Sequence, residues 1–249
     1  MLNNISNTNY QEVMNWFDTK FYHILYKNRD YKEAELFIEN LIDKLKIKKN
    51  SKVLDLACGR GRHSIFLNKK GMIVSGFDGS ENNILEAKKN NTKNLKFYKK
   101  EMDKPYNDSF DVIFNLFTSF GYIDHDYNTK VFQRISESLN KNGLLVLDFL
   151  NILHIKKHIV KEEIKKVDNI TFNLERFIKN QILYKKINFT YNKNEYSFKE
   201  SVMCLELKNF KKYLENLPLK IIKVFGNYNL DKFHPESERL IMVIKKSQP

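Results

Sequence analysis

Val53-Leu54-Asp55-Leu56-Ala57-Cys58-Gly59-Arg60-Gly61 is the stretch that decides the fold. Lys52–Ala57 is a short, mostly apolar run and reads as a buried strand. Gly59 and Gly61 follow, and glycine allows both a tight bend and a close approach of backbone to a ligand. Arg62–Lys69 has the composition and spacing of a helix. A helix that starts there points its free N–H groups at whatever lies over the loop. Strand, glycine turn and helix in this order form the opening unit of a nucleotide-binding α/β sheet.

Outward from this unit, strands and helices alternate. Upstream, Ala34, Phe37, Ile38, Leu41, Ile42 and Leu45 recur at helical spacing and predict a helix over 31–46. Downstream, Gly71 breaks the helix and Met72–Phe77 reads as the second strand. Asp78-Gly79-Ser80 is a turn, with Ser80 as N-cap of a helix near 81–89. Leu95–Tyr98 and Phe110–Asn115 read as the third and fourth strands. A helix near 128–139 carries Val131, Phe132, Ile135 and Leu139 on one face, and Gly143–Asp148 is the fifth strand. The alternation predicts a mostly parallel sheet covered on both faces.

The pattern changes after Asn151. From about Val167 to Glu206, apolar and polar residues alternate, with a turn signal at Asn192-Lys193-Asn194, so antiparallel strands are expected. Helical spacing returns over 207–217, and two last strands cover 219–225 and 239–245. The fold class expected is α/β: a Rossmann-like seven-stranded sheet with helices on both faces and an inserted antiparallel β-region. One domain spans 1–249, and 151–206 form a β-rich cap inserted in it.

Two details separate the nucleotide-binding possibilities. Asp55 lies inside the strand, where a carboxylate can help hold an amino-acid end, directly or through water. Ser64 stands where a dinucleotide loop has its third glycine. A cofactor without a diphosphate needs no third glycine, which favours S-adenosylmethionine over NAD. Asp78 ends the second strand about twenty residues after the loop, where a carboxylate accepts hydrogen bonds from both ribose hydroxyls. An Asp in a turn is otherwise a turn former, and its combination with the glycine loop favours the ribose role.

Val53–Gly61 resembles motif I of class I S-adenosylmethionine-dependent methyltransferases, and Asp78 resembles their ribose-binding acid. Glu101-Met102 falls where many relatives have Asp-Met, which implies contact with the adenine. The run Asn115–Tyr122 is similar to one that follows the fourth strand in a subgroup of bacterial small-molecule methyltransferases. Phe225-Gly226-Asn227-Tyr228 and Pro235-Glu236-Ser237-Glu238-Arg239 resemble the C-terminal strand pair of that subgroup. The resemblance covers nearly the whole chain and implies a methyltransferase sheet. Two positions depart from it: Arg60 replaces the usual Thr, and Glu101 replaces Asp with a side chain one methylene longer.

The residues the resemblance places at the cofactor are Asp55, Ala57, Cys58, Gly59 and Gly61 of the loop, and Asp78, Gly79 and Ser80 of the next turn. Glu101, Met102, Asn115 and Phe117 join them from the third and fourth strand ends. Relatives cover the cofactor with aromatic residues from the N-terminal stretch, where this chain has Tyr10, Trp16, Phe17, Tyr22 and Tyr26. Tyr22 and Tyr26 are taken as cofactor-covering rings, since a ring near a sulfonium gains cation–π attraction. If the acceptor needs to lose a proton, the candidate bases are Tyr122, His125, His234 and Glu236, all expected on loops at strand ends. No metal is expected: Asp124-His125-Asp126 are adjacent, and neighbours in sequence rarely converge on one ion.

Composition narrows the partners. The net charge is +13, but the lysines are scattered through the chain instead of forming one basic block, so nucleic acid is not the expected partner. Base amino-methylation usually goes with an Asn/Asp-Pro-Pro-aromatic turn, and here Leu116 and Phe117 stand in place of the prolines. Cys58 and Cys204 are too few for a disulfide framework, and neither is placed as a nucleophile for pyrimidine methylation. No apolar run reaches the ~18 residues of a membrane span, and Met1-Leu2-Asn3-Asn4 lacks a secretion pattern. The expectation is a cytoplasmic enzyme that methylates an O or N atom of a small metabolite, anionic or nucleotide- or sugar-linked acceptors included. The alternatives are an RNA methyltransferase and a catalytically silent cofactor-binding scaffold.

Overall fold

The computed structural model describes residues 15–27 and 31–247. Five parallel strands form its centre: β1 (Lys52–Leu56), β2 (Ile73–Asp78), β3 (Leu95–Lys99), β4 (Phe110–Asn115) and β5 (Leu139–Leu150). After an inserted region, β10 (Leu219–Phe225) and β11 (Arg239–Lys246) complete a seven-stranded sheet in the order β10-β11-β5-β4-β1-β2-β3. β11 runs antiparallel to both its neighbours. The chain leaves β1 towards β2 and β3, then crosses back to β4. The strand ends at β1 and β4 therefore form the switch point where open α/β sheets bind ligands.

Successive residues of the central strands bury on opposite faces, as the two-residue period of a strand requires. Leu54, Ile113, Leu145 and Leu147 pack with Val131, Phe132 and Ile135 of α5 (His125–Ser138) and Phe210 and Leu214 of α7 (Leu207–Leu214). Their neighbours Val53, Val112, Phe114 and Val146 pack on the other face. There they meet α2 (Tyr31–Leu45), α3 (Arg62–Lys69) and α4 (Glu81–Lys88). Burial on both faces is why these strands are almost continuously apolar.

The insertion opens with α6 (Ile152–His158) and continues as an antiparallel sheet in the order β6-β7-β8-β9. Its strands are β6 (Glu162–Val167), β7 (Ile170–Lys179), β8 (Ile182–Tyr191) and β9 (Asn194–Met203). Asn180 and Gln181, like Asn192 and Lys193, have positive φ, the twist-compatible geometry of a two-residue hairpin turn. Trp16, Phe21 and Leu25, the last two on the short helix α1 (Lys20–Leu25), pack against Phe172, Ile187 and Phe189 of this sheet. Among the described residues no helix is long and apolar enough to cross a membrane.

Several boundaries differ from the sequence reading. α5 starts at His125, three residues early, because Asp124 accepts a hydrogen bond from the Tyr127 amide at 2.7 Å and caps it. β5 begins at Leu139 and α7 ends at Leu214. β6 starts at Glu162 rather than near Val167. It is an edge strand with Ile164 76% exposed, so its apolar pattern does not mark a buried face. α6 was not expected, and Ile152 is its one buried side chain.

Two glycines set how closely β1, β2 and β3 pack. A Cβ on Gly76 would lie 2.5 Å from the Phe97 ring and 2.9 Å from Cys58 Sγ, and one on Gly61 would lie 2.5 Å from the same ring. Gly76→Ala is expected to lower stability in urea denaturation by about 1–3 kcal/mol, the usual cost of overpacking. Phe97→Leu in that background is expected to recover part of the loss. A Gly76→Ala protein as stable as the wild type would contradict this packing.

Candidate active site

The loop after β1 is held in an unusual backbone conformation. Ala57, Gly59 and Gly61 all have positive φ, at 62°, 56° and 83°. The Cys58 amide donates to the Phe77 carbonyl at 2.9 Å and the Gly59 amide to Asp78 Oδ2 at 2.8 Å, which fixes the loop to the end of β2. A Cβ on Gly59 would meet nothing within 4 Å, so this side of the loop faces open space.

Asp78 accepts a second amide hydrogen bond, from Ser80 to Oδ1 at 2.9 Å. Burial raises its carboxyl pKa, and the hydrogen bonds from Ser80 and Gly59 oppose that rise. A carboxylate has about four acceptor sites, and with Gly59, Ser80 and the Asn83 side chain on it Asp78 keeps capacity for a further donor. The carboxylate borders a cavity of about 360 Å³, within the range of small-molecule sites.

The structure brings many of the expected residues to this cavity. Ala57, Gly59, Asp78 and Gly79 line it from the first two strand ends, and Glu101, Met102 and Phe117 from the third and fourth. Tyr22 and Tyr26 line it from α1 and its C-cap, with ring centroids 4.9 Å apart, and Tyr122 lies opposite. Phe17 sits between, 5.0 Å from Tyr22 and 5.2 Å from Tyr122. Tyr10 lies outside the described residues. Trp16 is fully buried against Phe198 and belongs to the packing of the N-terminal segment.

Other expected residues stand behind the wall. Cys58 is buried, and burial pushes its thiol pKa well up. Gly61 packs on Phe97. Ser80 caps α4 by accepting from the Asn83 amide at 3.0 Å, and its hydroxyl donates to Asp18, tying the N-terminal segment to this turn. Asn115 donates to the Leu56 carbonyl at 2.9 Å and to Met102 Sδ at 3.5 Å, joining β4 to β1 and steadying Met102. Asp55 is 1% exposed, and its Oδ2 accepts from Ser64 Oγ at 2.5 Å. The serine in the third-glycine position thus serves the buried carboxylate.

Three of the four candidate bases lie elsewhere. His125 is the first residue of α5 rather than a loop residue, and its Nδ1 is 2.5 Å from Tyr213 Oη. It borders a separate, smaller cavity with Lys156 and Cys204. His234 and Glu236 are on the exposed loop between β10 and β11, where Glu236 pairs with Lys157 and His158. Lys157 holds the Glu236 carboxyl below its ordinary pKa.

Sequence reasoning missed the far wall. Arg176, Lys185 and Glu200 line the cavity from the inserted sheet. Each lies two residues from a buried apolar side chain of its strand, namely Leu174, Ile187 and Val202. A charge on the inward register of a strand was the signal available. It also missed a brace below the turn after β4. Phe117 and Thr118 both have positive φ, at 59° and 57°. Fully buried Asp148 holds them, accepting from the Phe117 amide at 2.9 Å and from Arg239 Nε at 2.8 Å, while Arg239 Nη2 reaches Thr118 Oγ1 at 2.8 Å.

A mostly parallel sheet, a glycine loop at its switch point and a buried carboxylate at the end of the next strand define a class I methyltransferase architecture. Residues 47–201 match the family model described as a methyltransferase domain, and the chain belongs to that family. It is an enzyme whose methyl donor is S-adenosylmethionine. A methyltransferase-class relative from Geobacillus sp. (strain WCH70) is 21% identical over 253 residues, 95% of this chain and 99% of its own. An S-adenosylmethionine-dependent methyltransferase from Clostridium acetobutylicum superposes with a TM-score of 0.79 at 21% identity, covering 92% of this chain and 98% of that one. An amino pentose methyltransferase from Micromonospora echinaspora, solved with its cofactor bound, gives 0.70 at 14% identity, with 92% and 98% covered.

Two outcomes follow from the loop. Burial raises the Asp55 pKa from 3.8 to about 6, the Ser64 hydrogen bonds opposing it. Between these values the folded protein keeps a proton that the unfolded chain has lost, so stability from this group falls as pH rises through that window. Above it the penalty is on the order of 3 kcal/mol. Asp55→Asn is therefore expected to raise stability in urea at pH 7.5 and to change nothing below pH 3.8; a variant weaker than wild type at pH 7.5 would contradict the assignment. In calorimetric titration, Asp78→Ala is expected to weaken S-adenosylhomocysteine binding by roughly 100-fold, the loss of two charge-assisted hydrogen bonds. NAD is expected not to bind, and unchanged affinity in Asp78→Ala would remove this carboxylate from the site.

Proposed function

We propose that this enzyme methylates a nitrogen or oxygen of a small metabolite, sugar- or nucleotide-linked compounds being the leading class. What carries the reading is that one cavity runs from the cofactor loop to the inserted sheet and is lined on that side by paired, hydrogen-bonding groups. Arg176 is paired with Glu163 at 2.6 Å and Arg239 with Asp148 at 2.7 Å. Lys185 Nζ donates to Tyr26 Oη at 2.6 Å, which in turn donates to Glu200. The two arginines that face the cavity thus have carboxylate partners, and Lys185 is engaged by Tyr26. Such a pocket suits a polar acceptor with hydroxyl or amino groups better than a polyanion. The likeness to an amino pentose methyltransferase supports the same class.

The donor fits the residues present. Asp78 would hold the ribose hydroxyls, Glu101 and Met102 the adenine, and the Ala57–Gly61 loop the amino-acid end. Bound there, S-adenosylmethionine supplies a methyl carbon already activated by a sulfonium. Phe17, Tyr22 and Tyr26 line the cavity, and an aromatic ring face near such a cation attracts it. The protein's own part is then mostly alignment and exclusion of water, and alignment alone is worth ~7–11 kcal/mol. Tyr122 touches the cavity and orients the acceptor. The insertion, 151–206, acts as the cap of the acceptor pocket within one functional unit of 1–249. A cytoplasmic location and no need of a membrane or nucleic-acid partner go with this reading.

Incubation with methyl-labelled S-adenosylmethionine and a panel of amino sugars, sugar nucleotides and unmodified tRNA tests it. Label is expected on a member of the small-molecule classes and not on tRNA. Labelled tRNA with no small acceptor turned over would overturn the assignment.

A further inference from the structure

Among the described residues, Asp78, Glu101 and Glu200 are the carboxylates that line the cavity, and Glu200 is the one on the inserted sheet. Its Oε1 accepts two hydrogen bonds, from Trp16 Nε1 and from Tyr26 Oη, both at 2.7 Å. Trp16 is fully buried, so this oxygen is fixed in place. Oε2 makes no hydrogen bond among the described residues, although Glu200 lines the cavity. Glu163 and Asp148, the partners of the cavity's two arginines, do not themselves line it. Both anchors are neutral donors, Lys185, its cross-strand neighbour, reaches it through Tyr26, and among the described residues Oε2 keeps its acceptor sites.

A half-buried carboxylate on a cavity wall, held by one oxygen, has the other ready for a donor on a bound molecule. An ammonium, amine or hydroxyl on the acceptor supplies one. We propose that Glu200 Oε2 binds the acceptor's N–H or O–H group and takes its proton during methyl transfer, which makes Glu200 a catalytic residue that selects amine or alcohol acceptors. The inference rests on the methyl-transfer reading above. From an ammonium or hydroxyl the proton passes to Oε2, and its bonding pair stays behind as the lone pair that attacks the methyl carbon. A neutral amine attacks with its own lone pair and gives the proton to Oε2 afterwards. In either case the carbon–sulfur bond breaks with its pair going to sulfur. After turnover the proton leaves Oε2 for water. Tyr26, held by Lys185, and Trp16 keep the opposite oxygen from turning away.

Sinefungin tests this without knowledge of the acceptor. It is the S-adenosylmethionine analogue that carries a primary amine where the donor carries its methyl group, facing the side from which the attacking atom approaches. S-adenosylhomocysteine lacks that amine. Calorimetric titration of wild type and Glu200→Gln with both ligands is expected to show sinefungin binding weakened roughly tenfold or more by the substitution, the value of a charge-assisted hydrogen bond. S-adenosylhomocysteine binding is expected to stay within about twofold. Gln keeps an oxygen for Trp16 and Tyr26, so the anchor survives. Should E200Q fail to fold, Glu200→Asp draws the charge back by one methylene and carries the same comparison. Equal losses for both ligands, or no loss for either, would overturn the proposal. A wild type that binds neither ligand would instead sink the methyl-transfer reading beneath it.

Discussion

The hydrogen bond from the Gly59 amide to Asp78 Oδ2 joins the two features on which the site depends. It ties the loop after β1 to the end of β2, so the backbone that faces the cavity and the carboxylate that faces it move as one body. The packing beneath serves the same contact. Gly61 and Gly76 let the Phe97 ring lie directly under the loop, and a side chain at either glycine would collide with that ring. Asn115 crosses from β4 to the Leu56 carbonyl and closes the gap at the switch point. A preorganised turn of this kind binds without reordering itself, which is where affinity for a nucleoside ligand is gained or lost.

The opposite wall is built on other terms. The N-terminal segment and the inserted sheet share one small core, in which Trp16, Phe21 and Leu25 meet Phe172, Ile187 and Phe189. The same segment is latched to the cofactor side by Asp18, which binds Ser80 and Asn82, and by His23, whose Nε2 is 2.8 Å from Asn83 Oδ1. Burial pushes the His23 pKa down to about 4, so this contact stays uncharged at neutral pH. The charges on the far wall come from inward positions of β7, β8 and β9. In the proposed function, cofactor recognition belongs to the parallel sheet and acceptor recognition to the insertion.

This division explains what was legible in the sequence. The central strands are buried on both faces, and their apolar runs, with the glycines and Asp78 at fixed offsets, marked the sheet and the cofactor half directly. The brace of Asp148 and Arg239 was not legible. The two residues lie 91 positions apart and meet only because β11 returns beside β5. Arg176, Lys185 and Glu200 were hidden for the same reason, since strand pairing in the insertion decides which charges face inward. His125, His234 and Glu236 were chosen as titratable residues near strand ends, and the fold turns them to the helix start or the outer loop. Sequence spacing identifies the loop that holds a ligand, while tertiary placement decides which ionisable group can reach it.

A crystal structure of the protein with S-adenosylhomocysteine would test the central claim most directly. The account predicts the ribose hydroxyls on Asp78, the amino-acid end over the Ala57–Gly61 loop, and the thioether sulfur facing Tyr22 and Tyr26. A ligand bound elsewhere, or a nucleoside in the cavity with Asp78 turned away from it, would contradict it.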